Sequence, residues 1–245
     1  MSSKNKYNPQ PESSKSTYIL GGLAIVVIAV LVIGGVIWQN QRSKPLNDGY
    51  GGVQNSEVQV QTQEDGIVLL GLPDAATTID LFEDPMCPAC RLFEERYGQQ
   101  VAQAVDDGQI AVRFHMMNFL NEASPSKDYS TRAIAATQCV ADSGDAIAYS
   151  AFHTALFDES NQPGEGGSSD LSNDDLAQLA RDAGASDEAA DCITSGSGVE
   201  QAGAHAAASS QALSAAGGNS TPSVVHNGTV IDPFGDTDWI ANLQP

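Results

Sequence analysis

The sequence predicts an α/β domain built from a β-α-β unit, a helical insertion of about 100 residues and a closing β-β-α unit, with one membrane segment ahead of it. Three observations carry this. An apolar run spans Tyr18 to Trp38, β-branched segments flank a helical repeat at 77–117, and an Asn-Gly turn separates two short β-rich runs near the C-terminus.

The run YILGGLAIVVIAVLVIGGVIW holds 21 residues without a charge, enough to cross a hydrocarbon core of about 30 Å. Tyr18 and Trp38 sit at its ends, as interfacial aromatics do. The run exceeds a signal-peptide core, and WQNQRSKP rather than a small-residue cleavage site follows it, so an uncleaved anchor is expected. Residues 1–17 read as a polar tail and 39–65 as a flexible tether, within which Val58 and Val60 alternate with Gln as a short edge strand would.

The folded part is expected from residue 66. IVLLG (67–71) and TTIDLFE (77–83) read as strands. In the segment after CPAC, Leu92, Phe93, Tyr97, Val101, Ala104 and Val105 recur at helical spacing, Gly108 stops the helix, and 109–117 returns to strand. Residues 121–217 alternate Ala-rich helical segments with caps. Ser172 with Asp175 forms a shortened capping box, and Gly217 and Gly218 end the last helix. Strands at 223–226 and 229–232 flank Asn227-Gly228, a strong hairpin signal, and DTDWIANL reads as a short final helix. Residues 66–120 and 218–245 thus form the α/β domain around the insertion.

Charge excludes one class of function. The formal charge is −20; five of the 11 basic residues precede Pro45, while 30 of the 31 acids follow it. So acidic a domain repels nucleic acid, and the imbalance reads as solubility or, equally, as salt adaptation.

CPAC, Cys87 to Cys90, carries the chemistry. Two cysteines three apart can ligate zinc, form a static bridge or cycle as a redox pair. Structural zinc needs about four ligands, and neither Cys139 nor Cys192 belongs to a second CxxC, so no metal is expected. A static bridge leaves Pro88 and the strand-to-helix position unexplained. The redox reading accounts for both. Cys87 falls at a helix N-terminus, where unpaired N–H groups and the helix dipole favour a thiolate. Pro88 suits the first helical position, and Cys90 lies one turn on, within reach to resolve a mixed disulfide. Ala89, like Pro88, brings no side-chain donor to the thiolate. Far downstream, Thr221-Pro222 precedes a strand, a position at which proline is often cis.

DPMCPACRLFE, the long helical insertion and STPS before the final hairpin resemble the thioredoxin-fold DsbA-like disulfide oxidoreductases, in particular the membrane-tethered branch found in actinobacteria. The resemblance covers about residues 64–245. It implies that Cys87 is the nucleophile, Cys90 the resolving thiol, Pro222 a cis proline packed on the pair, and Thr221 a backbone contact for extended substrate. Many relatives carry a buried acid six residues before the first cysteine, where this chain has Leu81. Asp80 is one residue off and would face the other side of the strand. Glu83 and Asp84 are the nearby acids; the proton-relay role stays unassigned, with Glu83 a candidate. If Cys87 pairs with Cys90, then Cys139 and Cys192 pair with each other or stay free; in an oxidising compartment a structural bridge is expected.

The expected activity is thiol oxidation of unfolded exported proteins by a monomeric, single-pass protein, its N-terminus cytoplasmic and its catalytic domain extracytoplasmic. No separate cofactor is expected, and a quinone-linked membrane reoxidant of the DsbB or VKOR type would return the pair to its disulfide. The alternatives are a reductase or isomerase, or a redox-inert binding module or chaperone, which intact CPAC argues against. Met86, His115 and His153 are weaker candidates for lining the substrate groove.

Overall fold

The computed structural model describes residues 44–243. The expected span at Tyr18–Trp38 lies outside these residues, and among the described ones no helix is long and apolar enough to cross a membrane.

One mixed sheet organises the domain. Its strands are β1 (Gln59–Thr62), β2 (Val68–Gly71), β3 (Thr77–Glu83), β4 (Ile110–Met116), β5 (Ser223–His226) and β6 (Thr229–Ile231), in the spatial order β1-β2-β4-β3-β5-β6. Only β3 and β4 run parallel, in register from Thr77 opposite Ile110 to Glu83 opposite Met116. A parallel pair needs a crossover, and helix α1 (Pro88–Asp106) supplies it. The β5–β6 hairpin turns at Asn227 (φ 50°) and Gly228 (φ 75°), the two left-handed residues of a type I′ turn.

The two sheet faces are covered differently. Phe93, Tyr97, Val101 and Val105 on α1 pack into the main core with Ile79, Leu81, Val112 and Phe114. On the opposite face, Leu213 of helix α6 (Val199–Ala215) closes a smaller cluster with Phe82, Met117 and Val225. Between β4 and β5 lie α2 (Tyr129–Ala141), α3 (Ala146–Leu156), α4 (Asn173–Asp182), α5 (Asp187–Ser195) and α6. The reciprocal capping box of Ser172 and Asp175 starts α4. A disulfide joins Cys139 on α2 to Cys192 on α5, with Cα atoms 5.9 Å apart.

Two expectations change. From Leu46 onward, the segment read as a tether is laid along the domain. Leu46 N–H donates to Arg96 O (2.7 Å), Tyr50 Oη to Asp106 (2.6 Å) and Asn47 Nδ2 to Gln103 (2.7 Å), while Val53, Val58 and Val60 are buried and β1 joins the sheet. Polar composition suggested freedom; scattered apolar residues and amide partners on α1 remove it. The expected final helix forms turns over 237–242 instead, with Asn242 N–H donating to Asp238 O (3.0 Å), and Trp239 packs against Phe93 and Tyr97, holding the chain by burial.

Candidate active site

Strand β3 ends at Glu83, and the chain turns through Asp84, Pro85 and Met86 into α1. Asp84 shapes this turn. Its buried carboxylate accepts from Met86 N–H (3.0 Å), Leu120 N–H (3.0 Å) and the Ser130 hydroxyl (2.7 Å), and its carbonyl accepts from Cys87 N–H (2.8 Å). Burial pushes its pKa up to about 6, with those donors opposing. The insertion grips the turn from outside: Gln162 Nε2 donates to both Pro85 O and Cys87 O at 3.1 Å.

Cys87 caps α1 and Pro88 occupies its first turn, exposed, with Ala89 half-buried. Both CPAC thiols are free and buried. The Cys90 thiol, hydrogen-bonded to the Cys87 sulfur, does most to bring the Cys87 pKa down to about 6. Burial opposes this, while Thr221 and the N–H groups of Cys90 and Ala89 add to it. Cys90 moves the other way, pushed well up by burial, by its bond to Cys87 and by the Glu83 carboxylate. One sulfur is therefore prepared as a thiolate and its partner as a thiol.

Thr221 and Pro222 come to this pair across the sheet end. Their peptide bond is cis, and the Cys87 thiol lies 3.6 Å from Thr221 O, its acceptor. An apolar-lined groove of ≈ 390 Å³ opens over Cys87 and Thr221, walled by Met117, Phe119, Leu120 and Leu213, with Glu165 at its rim. Cys90 takes no part in its lining.

A profile described as Thioredoxin matches residues 62–244. The chain belongs to the thioredoxin family. Within this family it is similar to MdbA, a thiol-disulfide oxidoreductase from Corynebacterium diphtheriae, at 27% identity and a TM-score of 0.66, covering 80% of this chain and 96% of that one. It is similar to DsbA from Mycobacterium tuberculosis at 35% identity and a TM-score of 0.57, covering 72% and 85%. By this kinship the chain is a DsbA-like member of the family. It is also 40% identical over 186 residues to the serine/threonine-protein kinase PknE of the same species; that match takes in 76% of this chain, which spans 32% of the kinase's length.

In this thioredoxin-family domain, Cys87, Cys90, Thr221 and Pro222 meet at one end of the sheet, with Pro88 and Ala89 between the sulfurs. Glu83 is fully buried one turn before them. Burial and the neighbouring Glu94 carboxylate push its pKa up to about 8, with His153 opposing. The other histidines and Met86 do not line the groove. Met86 is in the core, and His115 bonds Asp80 at 2.8 Å while stacking on Phe82. Asp80, held low by His115 and Arg113 despite burial, belongs to that separate cluster.

His153, expected near the groove, faces Glu83 instead. Its Nε2 is 3.2 Å from Glu83 Oε2 and 3.6 Å from Glu94 Oε1, at ion-pair distance without hydrogen-bond geometry. Burial alone would lower its pKa, but the two carboxylates hold it up at about 10. Among the described residues, this is the group in which three ligand-type side chains gather within 4.8 Å. An imidazolium between two acids compensates charge inside the cluster, which accounts for it as an acid–base triad. Sequence reasoning gave Asp84, a nearby acid, no role and missed Gln162 and Glu94; only the polar side chains themselves were visible, and their targets lie up to 77 residues away.

Proposed function

We propose that the chain is an extracytoplasmic thiol oxidase that introduces disulfides into exported, unfolded proteins through Cys87 and Cys90. The opposed environments of the two sulfurs carry this reading. In the oxidised pair, a substrate thiolate attacks Cys87, the S–S bond breaks, and Cys90 leaves and takes a proton. A second substrate thiolate then attacks the mixed disulfide. Substrate leaves as a disulfide, and two electrons stay on the Cys87–Cys90 dithiol. Cys87 departs readily because its thiolate is stabilised where it stands.

Substrate lies in the groove, apolar side chains against Phe119 and Leu213 and main chain against Thr221 beside Pro222. Glu83 serves as the acid that exchanges a proton with Cys90. Cys139–Cys192 braces the insertion, consistent with an oxidising compartment. Anchored by residues 18–38, the domain acts as a monomer outside the membrane and is returned to its disulfide by a quinone-linked membrane protein of the DsbB or VKOR type.

The potential of the Cys87–Cys90 couple, measured against glutathione with peptide oxidation followed in parallel, tests this. A value near about −120 mV with oxidation lost in Cys87→Ser supports an oxidase; one near about −270 mV overturns it in favour of a reductant.

A further inference from the structure

Cys90 has a proton problem that the groove does not solve. Its side chain is fully buried and takes no part in lining the groove that reaches Cys87. Each half-cycle nonetheless adds or removes one proton at this sulfur. The enzyme disulfide and two substrate thiols become Cys87 thiolate, Cys90 thiol and a substrate disulfide, with one proton kept on Cys90 and one released; reoxidation strips the kept proton off again.

We propose that this proton travels away from the substrate face, from Cys90 through Glu83 and His153 to Glu94, and meets water behind α1. The reading rests on the oxidoreductase function proposed above and adds a route that leaves the groove free for substrate.

Geometry supports it in four ways. Glu83, His153 and Glu94 come from β3, α3 and α1, and both carboxylates face the same imidazole nitrogen, at 3.2 and 3.6 Å. A proton taken from one acid can be given to the other without turning the ring. Side-chain exposure rises from 0% at Glu83 to 5% at His153 and 9% at Glu94, a gradient from the sulfurs outward. Both Glu83 oxygens and both His153 nitrogens lack hydrogen-bond partners, so no rival bond locks them. Finally, Glu94 and His153 line a cavity of ≈ 20 Å³, room for about one water, whose wall includes the exposed Thr154.

The α1 sequence fits the route. Cys90, Glu94 and Gly98 follow one another at intervals of four along one helix face. Glycine inside a helix is destabilising relative to alanine. Here a Cβ on residue 98 would stand 2.8 Å from Glu94 Oε2, and the glycine leaves that oxygen its outlet. The other ionisable groups facing the triad are Cys87 and Cys90 on α1 and Tyr149 on α3, whose phenol is held neutral by burial and by both acids.

The test follows reoxidation of the reduced full-length protein by oxidised glutathione. Glutathione first adds to Cys87; Cys90 then displaces it, and only this second step requires the Cys90 proton to leave. Acid quenching and alkylation across pH 5–9 separate the two. In Glu94→Gln the second step should slow about a hundredfold, the low end of what a positioned proton carrier contributes, with its pH profile displaced and the first step unchanged. Gly98→Ala, which alters no titratable group and favours the helix, should slow the second step as well. Parental rates and pH profiles in both variants would overturn the route and leave the enzyme reading intact. A parent that never forms the glutathione adduct would overturn the enzyme reading, and the route with it.

Discussion

The Cys87 sulfur stands 3.6 Å from the carbonyl oxygen of Thr221, a residue 134 positions further along the chain. The contact joins the crossover helix to the closing hairpin. On the function proposed above, an extended chain that pairs with Thr221 is thereby presented to Cys87, so recognition and chemistry share one point.

Cys87 should titrate near pH 6 against the ordinary thiol value of 9.0. Thiolate absorbance or alkylation rate across pH 4–9 measures this, and a midpoint above 8 would remove the basis for its role. Cys90→Ser should accumulate a mixed disulfide with substrate that is visible on non-reducing gels, because the resolving sulfur is gone.

Alkaline pH should weaken the reduced fold. His153 rises from 6.5 to about 10 on folding, so the stability it contributes is complete below pH 6.5 and lost as pH climbs through 10. Glu83, raised from 4.5 to about 8, acts in the same direction between those values. Cys87, lowered to about 6, works against both between pH 6 and 9. Urea unfolding of Cys87→Ser, where that opposition is removed, should show a steady loss from pH 6 to 10. A flat curve would contradict the ion-pairing of His153.

Asp84→Ala should cost about 3 kcal/mol, because three buried donors lose their shared acceptor. Asp84→Asn keeps one acceptor oxygen and should lose less. Chemical denaturation checks both.

Replacing Cys139 and Cys192 together by alanine should lower stability by about 4 kcal/mol, the chain-entropy value for a bridge spanning 53 residues. The CPAC potential should move little, since the bridge lies in the insertion. A large change in potential would show that the insertion tunes the pair.

The sequence revealed those parts of the fold governed by local rules. TTIDLFE is β3 to the residue because its β-branched run is bounded by turn-formers on both sides, and Asn227-Gly228 specifies its own hairpin. Pro88 marks the start of α1 through its preference for the first helical turn. Glu83, by contrast, lacked its partners until α3 and α1 were packed, because His153 lies 70 residues away and no periodicity links them. Polar side chains such as Gln162 and Asp84 look alike in sequence whether they face water or clamp a backbone. The tether reading failed for the same reason: Asn47 and Tyr50 resemble linker residues until their acceptors on α1 are known.

The strap from Leu46 to Asn55 changes what trimming the chain would do. It grips α1 at Arg96, Gln103 and Asp106, on the helix whose first turn carries the nucleophile. A version beginning at residue 66 would shed no idle leash. It would strip an outer strand from the sheet, bare the flank of α1 and unseat Val53 from beside the Glu94 cavity, so that a cut made far from the sulfurs would be felt at the one that must part with a proton.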